Sequence, residues 1–179
     1  AYNNGLINND FFLAELTNGG FTVFGSRGVN SSDYNWFVML FDANGIEINS
    51  EEYDYGFNDY GRSIFETYEG NIVVTGSIEP SQNIDYLKVA KLTPDLNLTL
   101  WDYTYTEYEG RGKSIIQTAD GGYLVAGLVH FDNIPSGLIM KFPSDEEFLI
   151  HSTTKHVSAL GSDENSASEE YPFATIQHA

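Results

Sequence analysis

Cysteine is absent from the 179 residues, so the chain must be held by its core rather than by disulfides, and its compartment stays open on that count. Basic residues are scarce: 8 Lys and Arg stand against 26 Asp and Glu, a formal charge of −18. Such a surface repels phosphate backbones and anionic lipid, which argues against nucleic-acid partners. No apolar run approaches the roughly 18–20 residues that span a bilayer, so membrane insertion is not expected. A charged n-region followed by an apolar h-region is also missing, and the chain opens on Ala1, which reads as a removed leader or a piece of something longer. What the chain does have is aromatic residues, 15% of the total. That share excludes disorder, because disordered segments are poor in aromatic side chains.

An internal repeat organises the rest. NGGFTVFG (18–25), EGNIVVTG (69–76) and DGGYLVAG (120–127) lie in register, and Gly25, Gly76 and Gly127 are each 51 residues apart. The match extends to Gly61-Arg62-Ser63-Ile64 against Gly112-Lys113-Ser114-Ile115. Within the middle copy, SIFETY, IVVTGSI, DYLKVAKL and LTLWDYTY read as four strands parted by turns, from their β-branched and alternating patterns. The fold class expected is all-β: four-stranded antiparallel repeats forming consecutive blades of an incomplete β-propeller. Repeat 1 covers about 10–60, repeat 2 about 61–111 and repeat 3 about 112–155. An acidic insertion loop follows at 156–172, and FATIQHA (173–179) looks like the first strand of a fourth repeat. Three copies leave open strand edges, so the expectation is a fragment of a longer propeller chain, or self-association that completes the sheets with other chains.

The segment LTLWDYTYTEYEGRGKSIIQTADGGYLVAG (98–127) resembles the DGGyivaG-type repeats of about 50 residues found in secreted or surface-anchored multi-repeat proteins of Bacteroidetes-type bacteria. The first copy departs from that pattern, with NGG for DGG and no Trp at its strand end. The resemblance implies a propeller at the cell surface, outer-membrane associated or secreted, and brings no catalytic residues with it.

Chemical motifs are few. GRGKS (110–114) ends like a phosphate-binding loop, but the Gly required five residues before Gly112 is Glu107, and the segment enters a strand rather than a helix. His130, His151, His156 and His178 share no metal-ligand spacing. No Gly-x-Ser-x-Gly elbow occurs, and paired carboxylates for glycoside cleavage cannot be picked from 26 acids. Asp42, Asn44 and Glu47 place oxygens at spacings that echo a calcium loop, although Asp, Asn and Gly are also ordinary turn formers. Two glycosylation sequons begin at Asn30 and Asn97. Trp36, Tyr53, Tyr55, Trp101, Tyr103 and Tyr105 gather near strand ends with Tyr60 and Tyr108. They either pack between sheets or form a surface for a glycan or protein, since their rings are apolar with a polar tip. The function expected is a non-enzymatic binding or scaffold module. A structural subunit and a polysaccharide-acting enzyme are the alternatives.

Overall fold

The computed structural model describes residues 8–30, 33–132, 134–145 and 153–156. Over these residues the chain is all-β, with twelve strands in three antiparallel sheets. Sheet 1 holds β1 (Asn8–Glu15), β2 (Phe21–Asn30), β3 (Asp33–Phe41) and β4 (Glu47–Tyr53). Sheet 2 holds β5 (Tyr60–Glu66), β6 (Ile72–Ser81), β7 (Ile84–Leu92) and β8 (Thr99–Tyr105). Sheet 3 holds β9 (Gly110–Gln117), β10 (Tyr123–Phe131), β11 (Ile134–Phe142) and β12 (Thr153–His156). Each sheet is a meander in chain order, its hydrogen-bonded neighbours being successive strands. The insertion loop (apart from His156) and the strand expected at 173–179 lie outside the described residues.

The 51-residue period is written into the turns. Gly19, Gly70 and Gly121 all have φ between +82° and +85°, a conformation open to Gly because it lacks a Cβ. Their N–H groups donate to the carbonyls of Leu16, Thr67 and Thr118, each at 2.9 Å. The same local bond therefore closes the turn between first and second strands in all three sheets.

Successive sheets stack face to face because β2, β3, β6 and β7 are apolar on both faces. The forward face of sheet 1 (Phe24, Trp36, Val38, Leu40) packs on the rear face of sheet 2 (Ile72, Val74, Ala90, Leu92). The forward face of sheet 2 (Val73, Leu87, Val89, Tyr105) packs on the rear face of sheet 3 (Tyr123, Val125, Met140, Phe142). A fully buried side chain of this size is worth about 1.5–3 kcal/mol, so these two seams carry most of the cohesion between sheets.

Glycine lets the first strands approach closely. A Cβ on Gly61 would lie 2.8 Å from the Gly25 carbonyl oxygen, and one on Gly112 would lie 2.1 Å from Thr75 Oγ1 and 3.3 Å from the Gly76 carbonyl oxygen. Any side chain there would push β5 off sheet 1 and β9 off sheet 2. As a result β5 packs against both β1 and β9, and the three sheets converge along their first strands. Matching side-chain ties reinforce the convergence: the Thr17 N–H donates to Glu66 Oε2 at 2.7 Å, and the Tyr68 N–H to Gln117 Oε1 at 2.8 Å.

Candidate functional site

All six aromatic residues singled out from the sequence sit at the seams, and two of them present no surface. Trp36 is 1% exposed and Tyr105 is 0% exposed. Trp36 spans the first seam: its Nε1–H donates to the Ser77 carbonyl at 3.1 Å, and its ring meets Phe24 edge-on at 5.1 Å. Tyr55 packs at right angles to Trp36, 5.5 Å away, with the Lys88 ammonium 4.6 Å from its own ring. Tyr53, half-buried, donates its hydroxyl to the Leu96 carbonyl. Burial, with the Glu51 charge beside it, pushes that hydroxyl up to about 12. Trp101 and Tyr103 lie half-buried against sheet 3, with Trp101 5.4 Å from Tyr123 and Tyr103 5.3 Å from Phe142. For Trp36 and Tyr105, then, packing replaces the ligand surface considered above. Strand alternation reported that one face would be buried, but not which strand would cover it.

The second seam carries a polar network that sequence reasoning missed. Lys91 is 1% exposed, and its Nζ donates to Tyr123 Oη at 2.9 Å and to Asp145. Asp145 also accepts the Tyr123 hydroxyl at 2.9 Å and the Trp101 Nε1–H at 3.1 Å, while Glu69 stands 3.8 Å from Lys91. Burial alone would raise the Asp145 carboxyl, but these donors hold it below its usual range. The equivalent place in the first seam is occupied by Leu40, 51 residues earlier. No sequence signal pointed to it, because Asp145 lies 54 residues from Lys91 and reaches it from beyond the end of β11.

The Asp42 carboxylate is committed to its turn. It accepts the N–H of Ile46 at 2.8 Å, the N–H of Asn44 at 2.9 Å and the Asn44 side-chain amide at 3.3 Å. The Ile46 bond is the largest influence holding its carboxyl low. Gly45 follows with φ +79° and Glu47 opens β4, exposed. Among the described residues no group of three or more His, Cys, Asp or Glu is arranged to hold a metal ion.

The links between sheets enclose the clefts. Asp59, buried in the first link, accepts the N–H of Tyr55 at 2.7 Å and of Glu79 at 3.0 Å, yet burial pushes its carboxyl up to about 6. The equivalent position 51 residues on is Gly110, the first residue of β9. A cleft of 410 Å³ beside the second link is lined by Tyr86, Glu107, Tyr108, Glu109 and His130. A neighbouring one of 330 Å³ includes Tyr60, Glu79, Asp85 and Arg111. Arg111 pairs with Asp85, Nε to Oδ2 at 2.7 Å. A smaller pocket of 110 Å³ lies on the other side of Tyr60, against Asp10, Ser26 and Arg62.

No family model matches the chain, and a search of the curated proteins returns no significant match. No helix among the described residues is long and apolar enough to cross a membrane.

Proposed function

We propose that the three sheets are consecutive blades of a β-propeller, serving as a non-enzymatic binding or scaffold module of a secreted or cell-surface bacterial protein. The observation that carries this reading is the convergence of β1, β5 and β9, through glycine contacts repeated from one seam to the next. A radial stack of that kind offers its turns and links as a broad rigid surface, the usual use of propellers and repeat proteins. The half-exposed rims of Tyr53, Tyr55, Trp101 and Tyr103 and the clefts beside Tyr86 and Tyr108 are the candidate contacts for a glycan or a protein. Affinity electrophoresis of the chain through gels containing neutral and acidic polysaccharides tests it, paired with a reducing-end assay. Retardation without release of reducing ends is the expected result. Release of reducing ends would sink the non-enzymatic reading in favour of a polysaccharide-acting enzyme.

A second reading, as a structural subunit, draws on the rear face of sheet 1. Phe21, Val23, Phe37, Met39 and Phe41 cluster there. Four of them fall on the register positions by which sheets 2 and 3 receive the sheet before them: Phe21 with Ile72 and Tyr123, Val23 with Val74 and Val125, Met39 with Ala90 and Met140, Phe41 with Leu92 and Phe142. A further sheet from another chain would find a matching face. Sedimentation at increasing concentration separates the two readings, since assembly raises the mass and a lone module keeps it at 20.0 kDa.

A further inference from the structure

The chain has few cations, and it gathers three of its 8 Lys and Arg on two neighbouring strands: Arg62 on β5, and Arg111 and Lys113 on β9. Two of the three stand at backbone irregularities. In sheet 2 the pairing runs Gly61 with Gly76 and then Ser63 with Thr75, so Arg62 is the extra residue of a bulge. In sheet 3 it runs Gly112 with Gly127 and then Ser114 with Ala126, so Lys113 is the extra residue of the equivalent bulge. Bulges re-aim side chains out of the ladder and recur beside functional sites. β5 and β9 lie side by side, joined by the Ile115 N–H donating to Ser63 Oγ at 3.3 Å.

We propose that this first-strand edge is an oxyanion site, in which Arg62, Lys113 and Arg111 together bind a carboxylate or sulfate group carried by a ligand. Arg62 Nε is buried and has no hydrogen-bond partner among the described residues, and its guanidinium lies 5.7 Å from the Tyr60 ring centre. Lys113 is exposed and makes no ion pair among the described residues. The carboxylates around the cluster are Asp85, paired with Arg111, Asp10, across the small pocket from Arg62, and Glu79 and Glu109, which line the larger cleft with Asp85 and Arg111. Asp85 holds Arg111, which leaves Arg62 and Lys113 as the two cations of the cluster with no ion pair among the described residues, open to meet a bound oxyanion. Burial and then the neighbouring Arg111 lower the affinity of Arg62 for its proton, and burial, Arg62 and Arg111 do the same at Lys113. Like charges so placed raise the energy of the empty site, and a bound oxyanion relieves that repulsion while supplying the acceptor that Arg62 Nε lacks. The site needs only the seam between β5 and β9, so it stands whether or not a ring closes. The same residues GRGKS have no helix to lend a phosphate loop its geometry, and here they act as side-chain donors on a strand.

The test is an NMR titration of the chain at low ionic strength, once with sodium sulfate and once with trigalacturonate. The expected result is saturable shifts of the Arg62 Nε–H and of the amides of Gly61–Ser63 and Gly112–Ser114, with the tighter of the two probes assigning the group. Arg62→Gln with Lys113→Gln should weaken binding at least tenfold, whereas Arg62→Lys with Lys113→Arg should retain most of it. Arg27, paired with Glu52 at 3.2 Å, is the internal control. The proposal is overturned if neither probe gives saturable shifts, if Arg27 responds as strongly as Arg62, or if a folded glutamine double variant binds as well as the parent.

Discussion

The two seams solve one packing problem with different chemistry. In the first, Leu40 and Leu96 belong to the apolar cluster around the buried indole of Trp36. The polar ties beside it are separate neutral hydrogen bonds, from that indole to the Ser77 carbonyl, from the Tyr53 hydroxyl to the Leu96 carbonyl and from the Gly61 N–H to Ser26 Oγ. In the second, the place of Leu40 is taken by Lys91, and Trp101, Tyr123 and Asp145 close around its ammonium. Backbone, glycine contacts and register are shared, so the repeat fixes the distance between sheets but not what fills it. An apolar filling is forgiving in direction, whereas the ionic one holds only if every donor and acceptor is matched.

The largest effect separating the seams should come from Trp36→Ala, which empties the centre of the first seam and leaves the Ser77 carbonyl without its donor. A loss of about 3–5 kcal/mol is expected in denaturant unfolding. Trp101→Ala, from a half-buried side chain, should cost less than half as much. Next comes Asp145→Ala, which leaves the buried Lys91 charge with Glu69 as its remaining carboxylate among the described residues and should cost about 3 kcal/mol. Adding Lys91→Leu to that variant rewrites the second seam in the manner of the first and should recover most of the loss. If the double variant is no better than the single one, the two seams are not interchangeable.

The smallest effect lies in the links. Burial pushes the Asp59 carboxyl up to about 6 in the folded state, against about 4 for an ordinary aspartate, so the folded state holds the proton more tightly than the unfolded one. Its contribution is therefore fully present below about pH 4 and lost as pH rises through 6, on the order of 2 kcal/mol. Melting curves between pH 4 and 7 should show the parent losing stability relative to Asp59→Asn, with Gly110, at the equivalent position, contributing no such dependence. A constant difference across that range would remove Asp59 as the source. Carboxyls held low, such as Asp42 and Asp145, act in the opposite sense, their contributions being lost only as pH falls below about 4.

The strands of the middle copy were legible because their cues are local. Gly70 sets a turn within four residues, and the runs before and after it alternate in plain view. The place of Gly61 and Gly112 was legible from the period, but its reason was not, because the Gly25 oxygen and the Thr75 hydroxyl approach from the neighbouring sheet. The aromatic set shows the same limit. Alternation puts Trp36 and Tyr105 on a face, and only the stacking of sheets decides that the face is covered. Arg62 and Lys113 matched at one offset in the sequence, yet a bulge is a property of two strands and becomes visible only when both are paired.

Three of the ties across the seams reach back by nearly one period: 49 residues from Glu66 to Thr17, 49 from Gln117 to Tyr68, and 54 from Asp145 to Lys91. During synthesis, therefore, each sheet finds its docking partner already made. The structure grows in one direction from the amino terminus, as vectorial folding favours. The loop closed at every step is about the same length, so the entropic cost of docking does not climb as sheets are added. A chain assembled in this order can be lengthened by whole repeats without slowing the step that adds the next one.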